Sequence, residues 1–253
     1  MYDLTHPIPS SLNPATNPAG LGNFHVLFPS TGISDMEHGL LEKLAQTKRR
    51  LRIGECLYRT GEGFFFLYII RSGFFKTTLI DKEGREQITG FHMSGEMMGI
   101  DGIATDIHAC SAFALENSEV CLIPYQQLEN TDQSSEAFQH FLRKALSHEI
   151  TRDENMMMLL GTMRANERVA AFLLYLSQSY LARGFSRYEF YLRMSRAEIA
   201  NYLGLKIETV SRILSSFQSM GCIETQQKHI VIHDLEKLKH LDSKNMTRSH
   251  PLS

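Results

Sequence analysis

Between residues 51 and 128 the chain is a series of short β-type runs, FFFLYII, FFKTTLI, EQITGF, SAFAL and EVCLIP, cut apart by glycine at RSG, KEG, MSGE and GID. At about residue 134 the period changes to that of a helix. Phe138, Leu142, Leu146, Ile150, Met157 and Leu160 follow at steps of four, four, four, seven and three, which keeps them on one stripe. Regularly spaced strands with glycine turns make an antiparallel roll, barrel or sandwich. A stripe of that length makes one long helix. A chain that does the first and then the second is α+β, with strands and helices segregated along the sequence.

The change of period divides the chain. Residues 1–30, rich in Pro, Ser, Asn and Gly, read as a flexible tail. Residues 31–133 hold the β-roll, preceded by a short helix, SDMEHGLLEKLAQTKRR, that starts at the cap Ser34 and gathers Met36, Leu40, Leu41 and Leu44 on one side. Residues 134–163 form the long helix, 164–241 a compact α/β segment, and 242–253 a C-terminal tail. Within residues 164–241, the helix NERVAAFLLYLSQSYLARG is stopped by Gly184. A strand, YEFYL, then leads to two helices joined by a tight turn, and to a hairpin, CIETQQKHIVIH.

With 43% apolar residues among 253, the chain can bury substantial cores, and no apolar run approaches the roughly 20 residues that span a membrane. No basic start followed by an apolar stretch marks a secretory signal, so a cytoplasmic protein without membrane partners is expected. Cys56, Cys110, Cys121 and Cys222 are scattered and read as reduced thiols. The net charge of −2 hides an asymmetry: residues 164–253 carry 13 Lys and Arg against 8 Asp and Glu, and residues 1–163 carry 13 against 20. A basic C-terminal part behind an acidic body suits a polyanionic partner.

The stripe of residues 138–160 admits two readings. It is the core face of a helix within one chain, or the seam of a homodimer. In the second case Asp153, which fills the place skipped by the step of seven, would face its symmetry mate. Two like charges there would weaken association and make it controllable.

The two short helices carry the most information. SRAE, residues 195–198, is a capping box in which the Ser195 hydroxyl serves the amide of Glu198 and the Glu198 carboxylate reaches back. Ala200, Gly204 and Val210 have the spacing of a helix-turn-helix, at about residues 195–214: a small residue for close approach, a glycine for the positive-φ turn, an apolar residue to fasten the second helix. Ile199, Leu203, Leu205, Ile213 and Leu214 supply the core, and the hairpin behind stands where a wing would. In such a motif the first residues of the second helix face base edges. Here these are Lys206, Glu208, Thr209, Ser211 and Arg212, with Ser195 and Arg196 at the start of the first helix available to the backbone. A glutamate is unexpected on a surface that approaches phosphates. It either reads an exposed base amine or pairs with Arg212 at i, i+4.

MSRAEIANYLGLKIETVSRIL and the wing resemble the C-terminal domain of the Crp/Fnr superfamily of bacterial transcription regulators. RSG, ITGFHMSGE and EVCLIP resemble its N-terminal, cyclic-nucleotide-binding-like β-roll, and ENMMMLLGTMRANERVAAFLLYLS its dimer helix and hinge. The likeness spans about residues 35–240 and is greatest to the FNR branch, through E-T-x-S-R and QITGFH-x-x-GE. It implies a homodimer on an inverted repeat of the form TTGAT-N4-ATCAA, read by Glu208, Ser211 and Arg212. Arg212 would donate to guanine, and Glu208 would accept from a cytosine or adenine amine and repel sequences that lack one. It also implies contact with RNA polymerase through the turn Asp81, Lys82, Glu83, Gly84, Arg85 and the loop residues Phe185 and Ser186.

The chain departs from the superfamily's inputs. A cyclic-nucleotide phosphate needs a cation, and no Lys or Arg occurs from residue 86 to 142; the expected place reads IHAC, with only His108 available. The oxygen-sensing type holds an iron–sulfur cluster on four cysteines. Cys121 matches the one in the roll and is a possible redox residue, yet residues 1–55 contain no cysteine and GLGNFHVLF stands where three are expected. For haem, His25, His92 and His108 are conceivable ligands, each more simply a satisfied surface or core residue. The resemblance that remains is to cluster-less, FixK-like regulators, with no iron–sulfur cluster, haem or cyclic AMP expected. A rival reading makes the roll a protein-interaction module without specific DNA binding. No nucleophile–base pair, metal-ligand spacing or phosphate loop suggests an enzyme.

Overall fold

The computed structural model of the chain describes residues 47–126 and 136–243. Two four-stranded antiparallel sheets come first. The strands are β1 (Thr47–Leu51), β2 (Cys56–Tyr58), β3 (Phe66–Ser72), β4 (Phe74–Ile80), β5 (Glu86–Met93), β6 (Met97–Met98), β7 (Ser111–Ala114) and β8 (Ser118–Pro124). They pair in the orders β1-β8-β3-β6 and β2-β7-β4-β5. The expected helix over residues 34–50 is corrected at its end: Thr47–Arg50 belong to β1, paired with β8, because the ladder along Glu119–Leu122 offers their backbone better partners than one helical turn would. The rest of that segment, including Met36, Leu40, Leu41 and Leu44, lies outside the described residues, as does the tail 1–30.

Helix α1 (Glu136–Thr162) follows, then α2 (Ala165–Ala182), β9 (Glu189–Tyr191), α3 (Arg196–Tyr202), α4 (Ile207–Ser219), β10 (Ile223–Gln226), β11 (His229–Ile232) and α5 (Leu235–Ser243). The hairpin expected after the two short helices is β10–β11, and β9 joins it on the far side of β11 to make a three-stranded wing. Helix α5 was not anticipated, and it takes in the first two residues of the expected tail. Its start has a legible signal, an Asp234 cap whose carboxylate accepts from the Lys237 amide, and its buried Leu235 and Leu238 lie three residues apart.

Three cores explain why the pieces hold together. Leu57, Tyr68, Ile70, Phe75, Met98 and Val120 fill the space between the two sheets. Phe64, Leu67, Ile69, Met97 and Ile123 meet Phe138 and Phe141 of α1. The largest cluster begins on the roll, at Phe74, Ile88, Phe91 and Met93, and runs through α2 into the helix-turn-helix and wing.

The register decides this division. Phe75 pairs with His92 and Thr77 with Gly90, so these four share the face turned into the roll. Phe74 pairs with Met93 and Lys76 with Phe91, so these share the opposite face, against α2 and α3. There the Phe91 ring centroid lies 4.9 Å from that of Tyr202, edge-on, and 6.0 Å from that of Phe172, tilted. Because Phe91 is central to this junction, Phe91→Ala should cost about 3–5 kcal/mol. Urea denaturation followed by circular dichroism is expected to show it, with the roll and the C-terminal part melting as separate transitions rather than one.

Candidate nucleic-acid interface

Helix α3 begins as the sequence requires. The Glu198 amide donates to Ser195 Oγ at 3.2 Å, and the Glu198 carboxylate accepts from the Ser195 amide at 2.7 Å. Gly204 takes the turn at φ +62°, with Leu160 and Arg168 within contact distance of where a Cβ would stand. Ala200 and Val210 are buried where α3 and α4 meet. Arg168 of α2 gathers three carbonyls that helix ends leave without partners: Leu203 at 3.0 Å, Leu160 at 2.7 Å and Met163 at 3.0 Å. The periodicity of α2 gave no sign of that role.

On α4 the buried residues are Val210, Leu214 and Phe217. The other side of its first two turns carries exposed Lys206, Glu208, Ser211 and Arg212, with Thr209 half-buried at the margin. Arg212 Nη2 lies 3.5 Å from Thr209 Oγ1. No Glu208–Arg212 ion pair is formed among the described residues, so both charges remain available. Glu208 sits in the first turn, where the positive end of the helix dipole accommodates a carboxylate. Ser195 is engaged in the capping box, and Arg196 Nη2 lies 3.4 Å from the Gln227 carbonyl at the wing tip. That tip, with Gln227 at φ +54° and Lys228 beside it, adjoins the start of α3 and was not singled out from the sequence.

The stripe of α1 divides in two. Phe138, expected at a dimer seam, is instead fully buried against the roll, and Leu142 packs into the same cluster. Leu146 is half-buried. Farther along, Ile150 (59%), Met157 (67%) and Leu160 (37%) are exposed in the single chain, with Asp153 among them. Burial, and next Glu149, push the Asp153 carboxyl above its usual range, against the opposing charges of Arg152 and His92.

The other side of this part of α1 inserts Arg152 into the mouth of the roll. Its guanidinium is 3.2 Å from His92 Nδ1 and 3.7 Å from Glu96, and it also pairs with Glu149. Glu96 is held in turn by Arg183, just past the end of α2, at 2.6 Å. Burial works to raise the Glu96 carboxyl, but the His92 hydrogen bond and the two arginines outweigh it and keep it low. Gly90 makes the insertion possible, since a Cβ there would stand 2.9 Å from both Arg152 and His92.

The IHAC segment is closed by its own residues. His108 is buried, stacked on Tyr58 at 3.9 Å, with Nδ1 3.4 Å from Asp101. Asp101 also accepts from the amides of Ala109 (2.8 Å) and Cys110 (3.2 Å). Burial and the neighbouring Asp101 push the Cys110 thiol up to about 12. Cys222 is buried in the winged part, and among the described residues no three His, Cys, Asp or Glu side chains are gathered as metal ligands. His25 lies outside the described residues.

The two surfaces suggested for polymerase are separate. The turn Asp81–Arg85 is exposed and self-contained: Asp81 accepts from the amides of Glu83 and Arg85, each at 2.9 Å, and pairs with the Arg85 side chain at 2.6 Å. Lys82 and Gly84 complete it, with Gly84 at φ +80°. Phe185 (63% exposed) and Ser186 instead border a cleft of about 1200 Å³ between the roll and the winged part, with Cys121 on its wall.

Two family models match. Residues 48–135 fit the cyclic nucleotide-binding domain, and residues 167–241 fit the Crp-like helix-turn-helix domain. The chain belongs to the Crp/Fnr family of transcription regulators. It is 43% identical over 217 residues to the transcriptional regulatory protein btr of Bordetella pertussis, covering 86% of this chain and 89% of the relative. It is 42% identical to the transcriptional activator protein Anr of Pseudomonas protegens, covering 81% and 83%. Among solved structures it resembles FixK2 from Bradyrhizobium japonicum, at 30% identity and a TM-score of 0.71, over 78% of this chain and 96% of that one. With the helix-turn-helix matched, the chain is a DNA-binding regulator and not an enzyme, and no described helix is long and apolar enough to cross a membrane.

Removing Arg152 would leave Glu149 and part of the Glu96 charge without a partner at the roll mouth. Arg152→Leu is therefore expected to destabilise the fold by about 3 kcal/mol, measured by urea unfolding.

Proposed function

We propose that this regulator acts as a homodimer on a TTGAT-N4-ATCAA-type inverted repeat, reads it with Glu208, Ser211 and Arg212, and contacts RNA polymerase through the Asp81–Arg85 turn and the Phe185–Ser186 loop. The observation that carries the reading is the free face of α4. Glu208 and Arg212 are adjacent there, unpaired with each other, and outermost on a helix whose other side is fully committed to the core. A bidentate arginine–guanine contact contributes about 1–3 kcal/mol of discrimination, and the glutamate adds exclusion of wrong bases. Lys206 and Arg196 are placed for phosphates, and two-fold symmetry would set the two reading helices about 34 Å apart.

The dimer seam in this reading is the distal half of the α1 stripe, Leu146, Ile150, Asp153, Met157 and Leu160, with Phe138 and Leu142 excluded because the roll already covers them. The chain is read as independent of cyclic nucleotide, iron–sulfur cluster and haem. Asp101 occupies the amides at the IHAC segment, and Arg152, already matched by two carboxylates, fills the roll mouth. The four thiols lie apart, and His92 and His108 are engaged by protein partners. Control by abundance or by dimerisation is then sufficient, and Cys121 serves as a wall of the cleft.

Fluorescence anisotropy on the matched repeat, a TGTGA-type palindrome and a scrambled duplex, at stated salt, tests the site. Arg212→Ala should lose about 1–3 kcal/mol on the matched repeat and little on the scrambled one. Lys206→Ala should weaken both and lower the salt slope by about 1. Equal losses for Arg212→Ala on matched and scrambled duplexes would refute its assigned role.

Dimerisation should depend on pH through Asp153. Its carboxyl titrates above the usual carboxylate range, so acidification toward that range increases the neutral form and weakens the repulsion across the seam. Sedimentation velocity is expected to show association tightening as the pH falls. Asp153→Asn should be tight throughout, with the slope gone.

A further inference from the structure

The β4–β5 hairpin and the helix-turn-helix meet in a contact that neither base reading nor polymerase binding requires. Strand β5 is the outer strand of its sheet, so the backbone groups on its free side have no strand partner. Covered by a helix, such groups must be satisfied by some other means. Asn201 of α3 satisfies two of them. Its Oδ1 accepts from the Ile88 amide at 2.6 Å, and its Nδ2 donates to the Glu86 carbonyl at 2.8 Å. Gln87 Nε2 donates back to the Asn201 carbonyl, also at 2.8 Å. One side chain thus makes the pair of hydrogen bonds that a residue of a fifth strand would make. A carboxamide is suited to this because it carries a donor and an acceptor side by side.

One turn earlier on the same face of α3 is Glu198. Its Oε2 completes the capping box with Ser195, and its Oε1 is 3.0 Å from Lys76 Nζ on β4. The start of the first helix of the motif is therefore fastened to the roll. The next residue after Asn201, Tyr202, rests on Phe91. In this docked arrangement Lys206, Glu208, Ser211 and Arg212 remain exposed.

We propose that Asn201, assisted by Lys76, latches the helix-turn-helix to the open edge of the roll and fixes the direction in which α4 is presented to DNA. Asn201 is on this view a positioning residue and not a DNA contact. The inference rests on the DNA-reading site assigned above. An inverted repeat needs both reading helices in register at once, whereas a single half-site needs only one. A helix-turn-helix released from the roll spends part of its time misdirected, and apparent affinity falls by the competent fraction. The loss is greater when two units must be competent together.

The experiment uses full-length wild type, Asn201→Ala, Asn201→Asp and Lys76→Met, each first checked for a cooperative thermal melt. Hydrogen exchange of residues 86–88 is measured without DNA, and anisotropy with the full repeat and with a duplex carrying one half-site. Faster exchange at Ile88 in both Asn201 variants, with about tenfold weaker binding to the full repeat and about threefold weaker binding to the half-site, is expected. Lys76→Met should follow in the same direction, and it stands in for the Asn201 variants if they fail to fold. Unchanged exchange at Ile88 would overturn the latch, making Asn201 a DNA contact if binding still falls, as would equal losses on full repeat and half-site, which would make Asn201 a general support of the fold. Wild-type protein that does not select the repeat would overturn the reading site, and the positioning role with it. Selective wild-type binding beside an unaffected Asn201→Ala variant would overturn the latch alone.

Discussion

Strands β4 and β5 are buried on both faces, and the rest of the molecule is arranged to cover them. Phe75 looks into the roll, whereas Phe74, Phe91 and Met93 look out. A strand pair that turns phenylalanines to each side has to be covered on both. The second sheet covers the inner face, and α2 with α3 covers the outer one. The DNA-binding part is consequently seated directly on the sensor-like roll. Each Phe buried in that seam contributes on the order of 1.5–3 kcal/mol, more than the polar contacts around it.

The polar groups at the margins of this seam give it direction. Apolar burial alone tolerates sliding, but a hydrogen-bonded edge does not. Asn201 on β5, Lys76 on Glu198 and Arg168 on three helix-end carbonyls each require one particular placement. Arg152 does the same for α1 by entering the roll mouth between His92, Glu96 and Glu149. The face of α1 opposite that arginine carries Ile150, Asp153 and Met157. A change in the roll mouth and a change in the proposed seam therefore act on one short stretch of helix. The roll that matches the cyclic nucleotide-binding domain holds at its mouth this internal set of partners.

Much of this was legible from residues alone, and for local reasons. The Ser195–Glu198 box, the Gly204 turn and the buried Ala200 and Val210 depend on contacts within a few positions, so their spacing is enough to read them. The glycine-punctuated strands are similar. Three things were not legible. Residues 47–50 carry four polar or charged side chains of no strong strand character, and only the ladder offered by β8 makes them a strand. Phe138 and Ile150 share one stripe, yet the roll is near the first and absent from the second. Helix α5 has a readable Asp234 cap, but its apolar pattern is too short to mark a helix until packing against α2 secures it.

The sequence by itself determined the order of a β-roll, a long helix and a winged helix-turn-helix, together with the residues on the outer face of α4, because hydrophobic period, capping and turn chemistry act at short range. Only the tertiary structure decided which half of the α1 stripe stays exposed, that Arg152 enters the roll, and that Asn201 pairs with β5. Those contacts join residues 60 to 115 positions apart, and what brings such groups together is the need to bury two faces of one sheet, which no local pattern records.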